Sequence, residues 1–165
     1  MTLTILTAAL VTAFVLGAGA VMTSVGPWYR QLPKPTWTPP DWLFGPAWTV
    51  ILGLAAWAGV LGWTAAPDAN ARWVLVGLYA VNIVLHLAWS PLFFNLRRPD
   101  WALIEVPFLW LSILALIVDL SRISPLASWL LVPYLIWVGF AAFLTLTIVR
   151  MNPPFGSKSQ RQPQS

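Results

Sequence analysis

The sequence predicts an all-α membrane protein, a single bundle of five transmembrane helices with a long structured first loop as a lid. Of the 165 residues, 59% are apolar and only 8% are charged, whereas a soluble domain has about 25% charged residues. Five apolar stretches are long enough to cross a hydrocarbon core roughly 30 Å thick. Backbone groups in lipid must be hydrogen-bonded within their own segment, so these stretches are predicted to be helices.

Charged residues delimit the predicted spans, and only the fourth span contains any, Glu105 and Asp119. In chain order the spans are predicted at Leu3–Val25, Leu43–Ala66, Trp73–Leu96, Trp101–Leu120 and Ala127–Val149. The first connection, Gly26–Trp42, is long and rich in proline, and the other three are short. Residues 1–150 are thus predicted to form one transmembrane domain, and residues 151–165 a polar, disordered tail.

Basic residues predict the orientation of the bundle. With five spans, the first loop, the third loop and the C-terminal tail share one side of the membrane. That side carries every Lys and Arg except Arg72 and Arg122. Cytoplasmic loops are enriched in these residues, so the N-terminus is expected outside and the C-terminus in the cytoplasm. The basic residues occur singly or in pairs, which fits membrane anchoring and not nucleic-acid binding.

Two further features bear on the type of membrane. The N-terminus lacks the basic segment of a cleavable signal, so the first span is expected to be retained. Helical spans favour a bacterial cytoplasmic membrane over an outer membrane, where β-barrels dominate.

The residue inventory excludes several kinds of site. Cysteine is absent and His86 is the single histidine, so disulfides, thiolate sites and histidine-cluster metal sites are ruled out. No metal site and no required cofactor are therefore predicted. A channel is disfavoured, because two carboxylates inside spans provide no ring of pore-lining charge.

Tryptophans inside the spans are candidate ligand contacts. Seven of the 12 tryptophans lie at span ends, where the headgroup region favours indole rings. The other five are Trp48, Trp57, Trp89, Trp110 and Trp137. An indole N–H needs a partner in hydrocarbon, so these side chains are expected to face the bundle or a cavity. Stacking on a flat ligand and plain helix packing both account for them.

Two ionisable residues inside spans are functional candidates by default. Glu105, Trp48 and His86 lie roughly 6, 8 and 15 Å below the side of the first loop at about 1.5 Å per residue, so all three are expected to line one pocket. In the alternative, His86 only hydrogen-bonds a neighbouring helix, and Glu105 reaches the interface or pairs with Arg97 or Arg98.

Small residues recur at four-residue spacing on two spans. They are Ala9, Ala13 and Gly17 on the first span and Ala55 and Gly59 on the second. Such stripes allow helices to approach closely. Packing within the bundle is the expected use, with a homodimer face as the alternative.

The first loop carries a long motif, Trp28-Tyr29-x-x-Leu32-x-Lys34-Pro35-x-Trp37-x-Pro39-Pro40-x-Trp42. Further motifs follow in order: Ala47-Trp48-Thr49, Trp89-Ser90-Pro91-Leu92-Phe93-Phe94, Pro133-Tyr134-Leu135-Ile136-Trp137 and Arg150-Met151-Asn152. Together they span nearly the whole chain and resemble the TspO/MBR family of tryptophan-rich sensory and translocator proteins.

The resemblance implies a ligand cavity that opens toward the first loop, in a bundle that is often dimeric. Family members bind porphyrins such as protoporphyrin IX and haem. By position, the implied ligand-binding residues are Tyr29, Trp37, Trp48, Leu52, His86, Trp89, Trp137 and Ala141.

The sequence also departs from the family. His86 replaces an Asn found in many relatives, and it is a candidate axial ligand to haem iron. Asn82 replaces a Gln, and Leu52 an aromatic residue. The segment before Arg150 lacks the Tyr of the cholesterol motif, so cholesterol binding is not expected.

Three functions remain open at this point. The first is a membrane binding protein or receptor for flat hydrophobic ligands, above all tetrapyrroles, with a role in their transport or in stress or pigment regulation. The second is an enzyme that degrades porphyrin with light and oxygen, using Trp48 and Trp137. The third is a sensor or scaffold that acts through protein partners. The expected partners are membrane lipid, a tetrapyrrole and a second copy of the chain.

Overall fold

A computed structural model describes residues 1–152 together with residues 154 and 155. The helices are α1 (Thr2–Met22), α2 (Pro27–Gln31), α3 (Asp41–Ala65), α4 (Ala69–Ser90), α5 (Pro99–Ile123), α6 (Pro125–Leu130) and α7 (Val132–Met151), and a π-helical turn, Pro91–Asn95, extends α4. Five segments are long and apolar enough to cross a membrane: α1, α3, α4 with the π-helical turn, α5, and α6 with α7. The predicted fold class is confirmed. The predicted tail, residues 151–165, lies largely outside the described residues.

Prolines explain where two predicted spans depart from a regular α-helix. A proline inside a helix cannot donate to the carbonyl four residues earlier. In the third span, Pro91 opens the π-helical turn, in which Leu96 N donates to Pro91 O at 2.9 Å. In the fifth span, Pro133 lies just after the break at Leu131 that separates α6 from α7. The fifth span is therefore two helices and not the single helix that was predicted.

Polar caps fix two of the helix starts. Asp68 Oδ1 accepts a hydrogen bond from Ala71 N at 2.8 Å at the start of α4. Ser124 Oγ accepts one from Ala127 N at 3.4 Å at the start of α6. Each bond satisfies one of the backbone N–H groups that have no partner within their own helix.

The core is organised around α5, which packs against α4, α6 and α7. The larger of two buried clusters includes Ala58, Ile113, Leu116, Leu131 and Tyr134. In contrast, α1 packs against α3, α4 and the π-helical turn, and makes at most minor contact with α5 and α7. The bundle is thus tightly packed around α5 and loosely closed at α1.

The first loop is held onto the bundle by polar and aromatic contacts. Lys34 Nζ donates to the carbonyl oxygens of Tyr29, at 2.6 Å, and Leu32, at 3.3 Å, and it lies 4.2 Å from the centre of the Tyr29 ring. From the end of α7, Asn152 Nδ2 donates to Pro33 O at 3.0 Å. Tyr29 and Leu32 are buried against Phe93 and other residues of the second cluster. The prediction of a structured first loop is confirmed.

Packing within the bundle was expected for both small-residue stripes, and the structure shows it for only one of them. On α3, Ala55 is buried, and a Cβ at Gly59 would lie 3.3 Å from the Tyr79 ring, so close packing against α4 is confirmed. On α1, however, Ala9, Ala13 and Gly17 are exposed. The expectation that the α1 stripe packs within the bundle is wrong, because Val15 is the one residue of α1 that is buried and nothing lies within 4 Å of a Cβ at Gly17.

One tryptophan inside a span also departs from expectation. Trp57 is 44% exposed on the outer face of α3. It was expected to face the bundle or a cavity, and instead it faces the surroundings of the bundle.

Candidate functional site

A cavity of about 550 Å³ lies between α1 on one side and α3, α4, α5 and α7 on the other. It exists because α1 leans on α3 and α4 and leaves a gap before α5 and α7. Val25 and Tyr29, which follow α1 in the chain, line the end of the cavity nearest the first loop. The volume falls in the range of about 300–1,000 Å³ that is typical of small-molecule sites, and the lining is mostly apolar.

Seven of the eight residues proposed from the sequence line this cavity. They are Tyr29, Trp48, Leu52, His86, Trp89, Trp137 and Ala141. The eighth, Trp37, lies outside the lining and packs on α7. Its ring stacks on Phe143 at 5.4 Å with an interplanar angle of 18°, and meets Phe140 edge-on at 5.9 Å. Trp37 therefore fixes the loop to the bundle, and a direct contact with ligand stays a prediction.

Glu105 does not join the site. The α5 residues in the lining are Val106 and Leu109, so Glu105 projects from a different face of the helix. Both carboxylate oxygens are buried without a hydrogen-bond partner in the described part of the chain. Arg98 pairs with Asp100, two residues away, with Nε and Oδ1 at 2.8 Å. The expectations that Glu105 lines the pocket or pairs with Arg97 or Arg98 are wrong, and its reaching the interface stays a prediction.

Aromatic rings meet nearly at right angles at the inner end of the cavity. Trp48 lies 4.7 Å from His86 with an interplanar angle of 76°, and 6.3 Å from Trp137 with an angle of 84°. Nearer the loop, Trp89 stacks on Phe93 at 5.0 Å. Edge-to-face pairs of this kind are favourable, and they leave ring faces free to contact a flat ligand.

Two indole N–H groups in the lining residues have no acceptor. The Nε1 atoms of Trp89 and Trp137 are buried and have no hydrogen-bond partner within residues 1–152. A polar group without a partner in a low-dielectric environment costs free energy. Both Nε1 atoms are enclosed by protein, so the indole rings would have to turn before a ligand in the cavity could accept from them.

His86 is held by a network that the sequence did not reveal. Its Nδ1 lies 3.2 Å from the hydroxyl of Tyr134, which lies 3.3 Å from Asn82 Oδ1. Asn82 Nδ2 in turn donates to Ser112 Oγ at 2.9 Å. His86 thus hydrogen-bonds a neighbouring helix and also lines the cavity, so the hydrogen bond is not its only role in the fold. The signal for Tyr134 was its place in the motif with Trp137, and Ser112 gave none.

Tyr29 closes the cavity toward the loop as a neutral phenol. Burial raises its pKa to about 12, and the nearby charge of Asp41, which also lines the cavity, adds to the shift. Its ring packs against Phe93 and Phe94 at 6.2 and 5.3 Å. The upper end of the cavity therefore offers a hydrogen-bonding hydroxyl and a carboxylate above an apolar body.

The site is a pocket lined mainly by apolar and aromatic side chains. No group of three His, Cys, Asp or Glu side chains is placed to hold a metal ion in the part of the chain that the structure describes. The lining offers aromatic faces, the Tyr29 hydroxyl and one imidazole. Its chemistry favours a large, flat, mainly apolar molecule with a few polar atoms.

Comparison with known proteins gives consistent matches over most of the chain. The sequence model of the TspO/MBR family matches residues 4–151. The tryptophan-rich protein TspO of Chlorobaculum tepidum is 40% identical, over 90% of this chain and 98% of that protein. Protein CrtK of Rhodobacter capsulatus is 33% identical, over 93% of this chain and 96% of that protein. The translocator protein of Sus scrofa is 36% identical, over 82% of this chain and 80% of that protein.

Proposed function

The chain belongs to the TspO/MBR family of integral membrane proteins, and from that premise we propose that it is a membrane binding protein for flat hydrophobic ligands, with tetrapyrroles as the leading class. The observation that carries the proposal is the cavity between α1 and the other helices. Three side chains whose polar atoms are costly to place inside a membrane converge there, namely Trp48, Trp137 and His86.

The shape and polarity of the cavity support this ligand class. A tetrapyrrole is a broad aromatic plate, and the cavity supplies indole and phenyl rings along its length. Protoporphyrin IX and haem also carry two carboxylates. The hydroxyl of Tyr29, which lines the cavity, is a donor that suits such acceptors.

A titration with protoporphyrin IX in the dark tests the proposal. Purified protein should bind it saturably, and Trp48→Ala should raise Kd about tenfold, because loss of one ring contact is worth roughly 1.4 kcal/mol. Trp57→Ala is the matched control, since Trp57 lies on the same helix but faces away from the cavity. Absence of saturable binding, or equal weakening by both substitutions, would contradict the proposal.

The same samples under light separate binding from degradation. A binding protein should bleach protoporphyrin no faster than empty detergent micelles do. Formation of a discrete product that depends on Trp48 or Trp137 would instead establish a porphyrin-degrading enzyme. If the ligand binds and survives, transport or signalling becomes the next question, and some relatives bear the name translocator protein.

We further propose that the first loop faces the cytoplasm of a bacterial cell and the N-terminus lies outside. The support is the excess of Lys and Arg on that side. Because the chain has no cysteine, Thr36→Cys in the first loop and Asn70→Cys at the start of α4 each introduce a unique thiol at an exposed position. A membrane-impermeant maleimide should label Asn70→Cys in intact cells and leave Thr36→Cys unlabelled, and the reverse pattern would invert the proposed topology.

A further inference from the structure

Four side chains form a hydrogen-bonded chain from α5 to the cavity. Ser112 donates its hydroxyl proton to the carbonyl of Leu109 at 2.7 Å. Its Oγ is thereby left to accept from the Nδ2 of Asn82 on α4, at 2.9 Å. The amide of Asn82 is thus fixed, with its NH₂ group toward Ser112 and its carbonyl oxygen toward Tyr134 on α7.

The single proton of the Tyr134 hydroxyl must serve one of two acceptors. The hydroxyl oxygen lies 3.3 Å from Asn82 Oδ1 and 3.2 Å from His86 Nδ1. Asn82 is buried, and within residues 1–152 its Oδ1 has no other side-chain donor. A proton given to His86 would leave this buried carbonyl unsatisfied, whereas His86 has an N–H of its own to offer. Tyr134 therefore donates to Asn82.

This assignment decides which nitrogen of His86 carries the proton. With the Tyr134 proton committed to Asn82, the bond to His86 requires Nδ1–H as donor and the phenol oxygen as acceptor. A neutral imidazole has only one N–H, so Nε2 keeps its lone pair. Nε2 has no partner in the described chain and is not enclosed by protein atoms, and His86 is part of the cavity lining.

We propose that Ser112, Asn82 and Tyr134 are positioning residues that hold His86 in its Nδ1–H tautomer, so that Nε2 presents an electron pair to the cavity. The site then selects ligands with an electron-pair acceptor at that point. In a flat macrocycle the acceptor is either a central metal ion with a free axial position or a ring N–H. The tautomer follows from the hydrogen bonds alone, while its use in ligand recognition rests on the proposed function.

The tautomer is testable without any ligand, because His86 is the only histidine. Protein labelled with ¹⁵N-histidine and purified without a histidine tag gives one imidazole in long-range ¹H–¹⁵N correlation spectra. The expected pattern is a protonated Nδ1 and a bare Nε2. A protonated Nε2 in the wild-type protein would overturn the proposal.

Substitutions in the chain should change the tautomer in a specific direction. Asn82→Leu removes the acceptor, so Tyr134 becomes free to donate to Nδ1 and the proton of His86 should move to Nε2. Tyr134→Phe removes a single oxygen atom and should leave the tautomer unfixed. Tyr79→Phe is the matched control, since that buried hydroxyl bonds Ala55 O at 2.7 Å outside the cavity. A folded Asn82→Leu protein that keeps Nδ1–H would contradict the assigned direction.

Titrations with haemin and with protoporphyrin IX identify the acceptor, because the two share a periphery and differ in the central metal. If iron is the acceptor, Asn82→Leu and Tyr134→Phe should weaken haemin binding by about 10- to 100-fold, the usual effect of losing a group that orients a metal ligand. Protoporphyrin binding should then change little, and the Soret band of haemin should lose the signature of nitrogen ligation. If a ring N–H is the acceptor, protoporphyrin binding should weaken instead.

The outcomes separate this inference from the proposed function. Wild-type protein that binds both ligands with affinities unchanged by Asn82→Leu and Tyr134→Phe would overturn the recognition role and leave the binding function intact. Wild-type protein that shows the Nδ1–H tautomer but binds neither ligand would overturn the binding function and leave the tautomer standing.

Discussion

Helices α1 and α5 have the same mean hydropathy, but α5 lies at the centre of the packed core and α1 lies at its edge. Along α1 (Thr2–Met22) Val15 is the one buried residue, whereas α5 (Pro99–Ile123) buries seven. Both helices are mainly apolar, because lipid replaces water around them. The comparison teaches that hydropathy identifies a span and says nothing about which face packs.

The spacing of the buried residues shows how α5 organises the core. The buried positions are Pro99, Ala102, Val106, Leu109, Ile113, Leu116 and Leu120, with gaps that alternate between three and four. This is the seam of a helix that packs along its whole length. In contrast, α1 contributes Val15, Leu16, Gly17, Gly19 and Ala20 to the cavity lining. One helix fills the core, and the other forms one wall of the cavity.

The largest expected effect is the difference in unfolding free energy between two leucine substitutions, one on each helix. Leu116 on α5 is 1% exposed and Leu10 on α1 is 71% exposed. Leu116→Ala should lower the free energy of unfolding by about 2–5 kcal/mol, since it leaves a hole among packed helices. Leu10→Ala should change it by less than about 0.5 kcal/mol. Unfolding in mixtures of SDS and a mild detergent measures both values, and equal losses would remove the distinction between the two helices.

The number and limits of the spans were predictable because the physics is local. A charged residue inside hydrocarbon is costly, so charges mark the ends of the spans along the chain. The side that each span buries was not predictable for the first span, where Ala9, Ala13 and Gly17 proved exposed. When every position is apolar, periodicity carries no information about the packed face.

A second prediction uses two glycines of α3 to test how closely this helix packs against the core around α5. A Cβ at Gly62 would collide with the Leu120 side chain and lie 3.0 Å from Leu75 Cδ2, and both leucines are buried. Gly62→Ala should therefore lower the free energy of unfolding by about 1–3 kcal/mol through overpacking. Thermal unfolding in detergent measures the change.

Gly53→Ala is the matched control on the same helix. Nothing lies within 4 Å of a Cβ at Gly53, and alanine is the better helix former by about 1 kcal/mol. The melting temperature of Gly53→Ala should be unchanged or higher than that of the wild-type protein. If Gly62→Ala behaves in the same way, the contact between α3 and α5 is looser than the structure indicates.

The sequence predicted the site residues whose polar atoms are costly to bury in lipid. It did not predict correctly the residues that were chosen only for their depth or their place in a motif. Trp48, His86 and Trp137 were found because indole and imidazole groups need partners inside a membrane. Depth alone suggested Glu105 as well, but depth does not fix rotation about the helix axis, and α5 turns Val106 and Leu109 to the cavity instead. Motif position suggested Trp37, whose ring instead meets Phe140 and Phe143.

The smallest expected effect concerns the first loop. Trp37 stacks on Phe143 at 5.4 Å and meets Phe140 at 5.9 Å, and aromatic pairs of this kind contribute about 0.5–1.5 kcal/mol. Trp37→Ala should therefore raise amide hydrogen exchange in residues 34–38 about 2- to 10-fold through local opening. The global unfolding midpoint should not move, because the core around α5 is untouched.

Trp42→Ala provides the control for loss of an indole from the same connection. Trp42 is 71% exposed and makes no aromatic pair in the described chain, so its removal should leave exchange in residues 34–38 unchanged. If both substitutions speed exchange equally, the stacking on α7 does not hold the loop. If Trp37→Ala alone does so, the loop is a separately weakened unit above the cavity. The protein then combines a rigid half built on α5 with a half that opens locally, as access to an enclosed site requires.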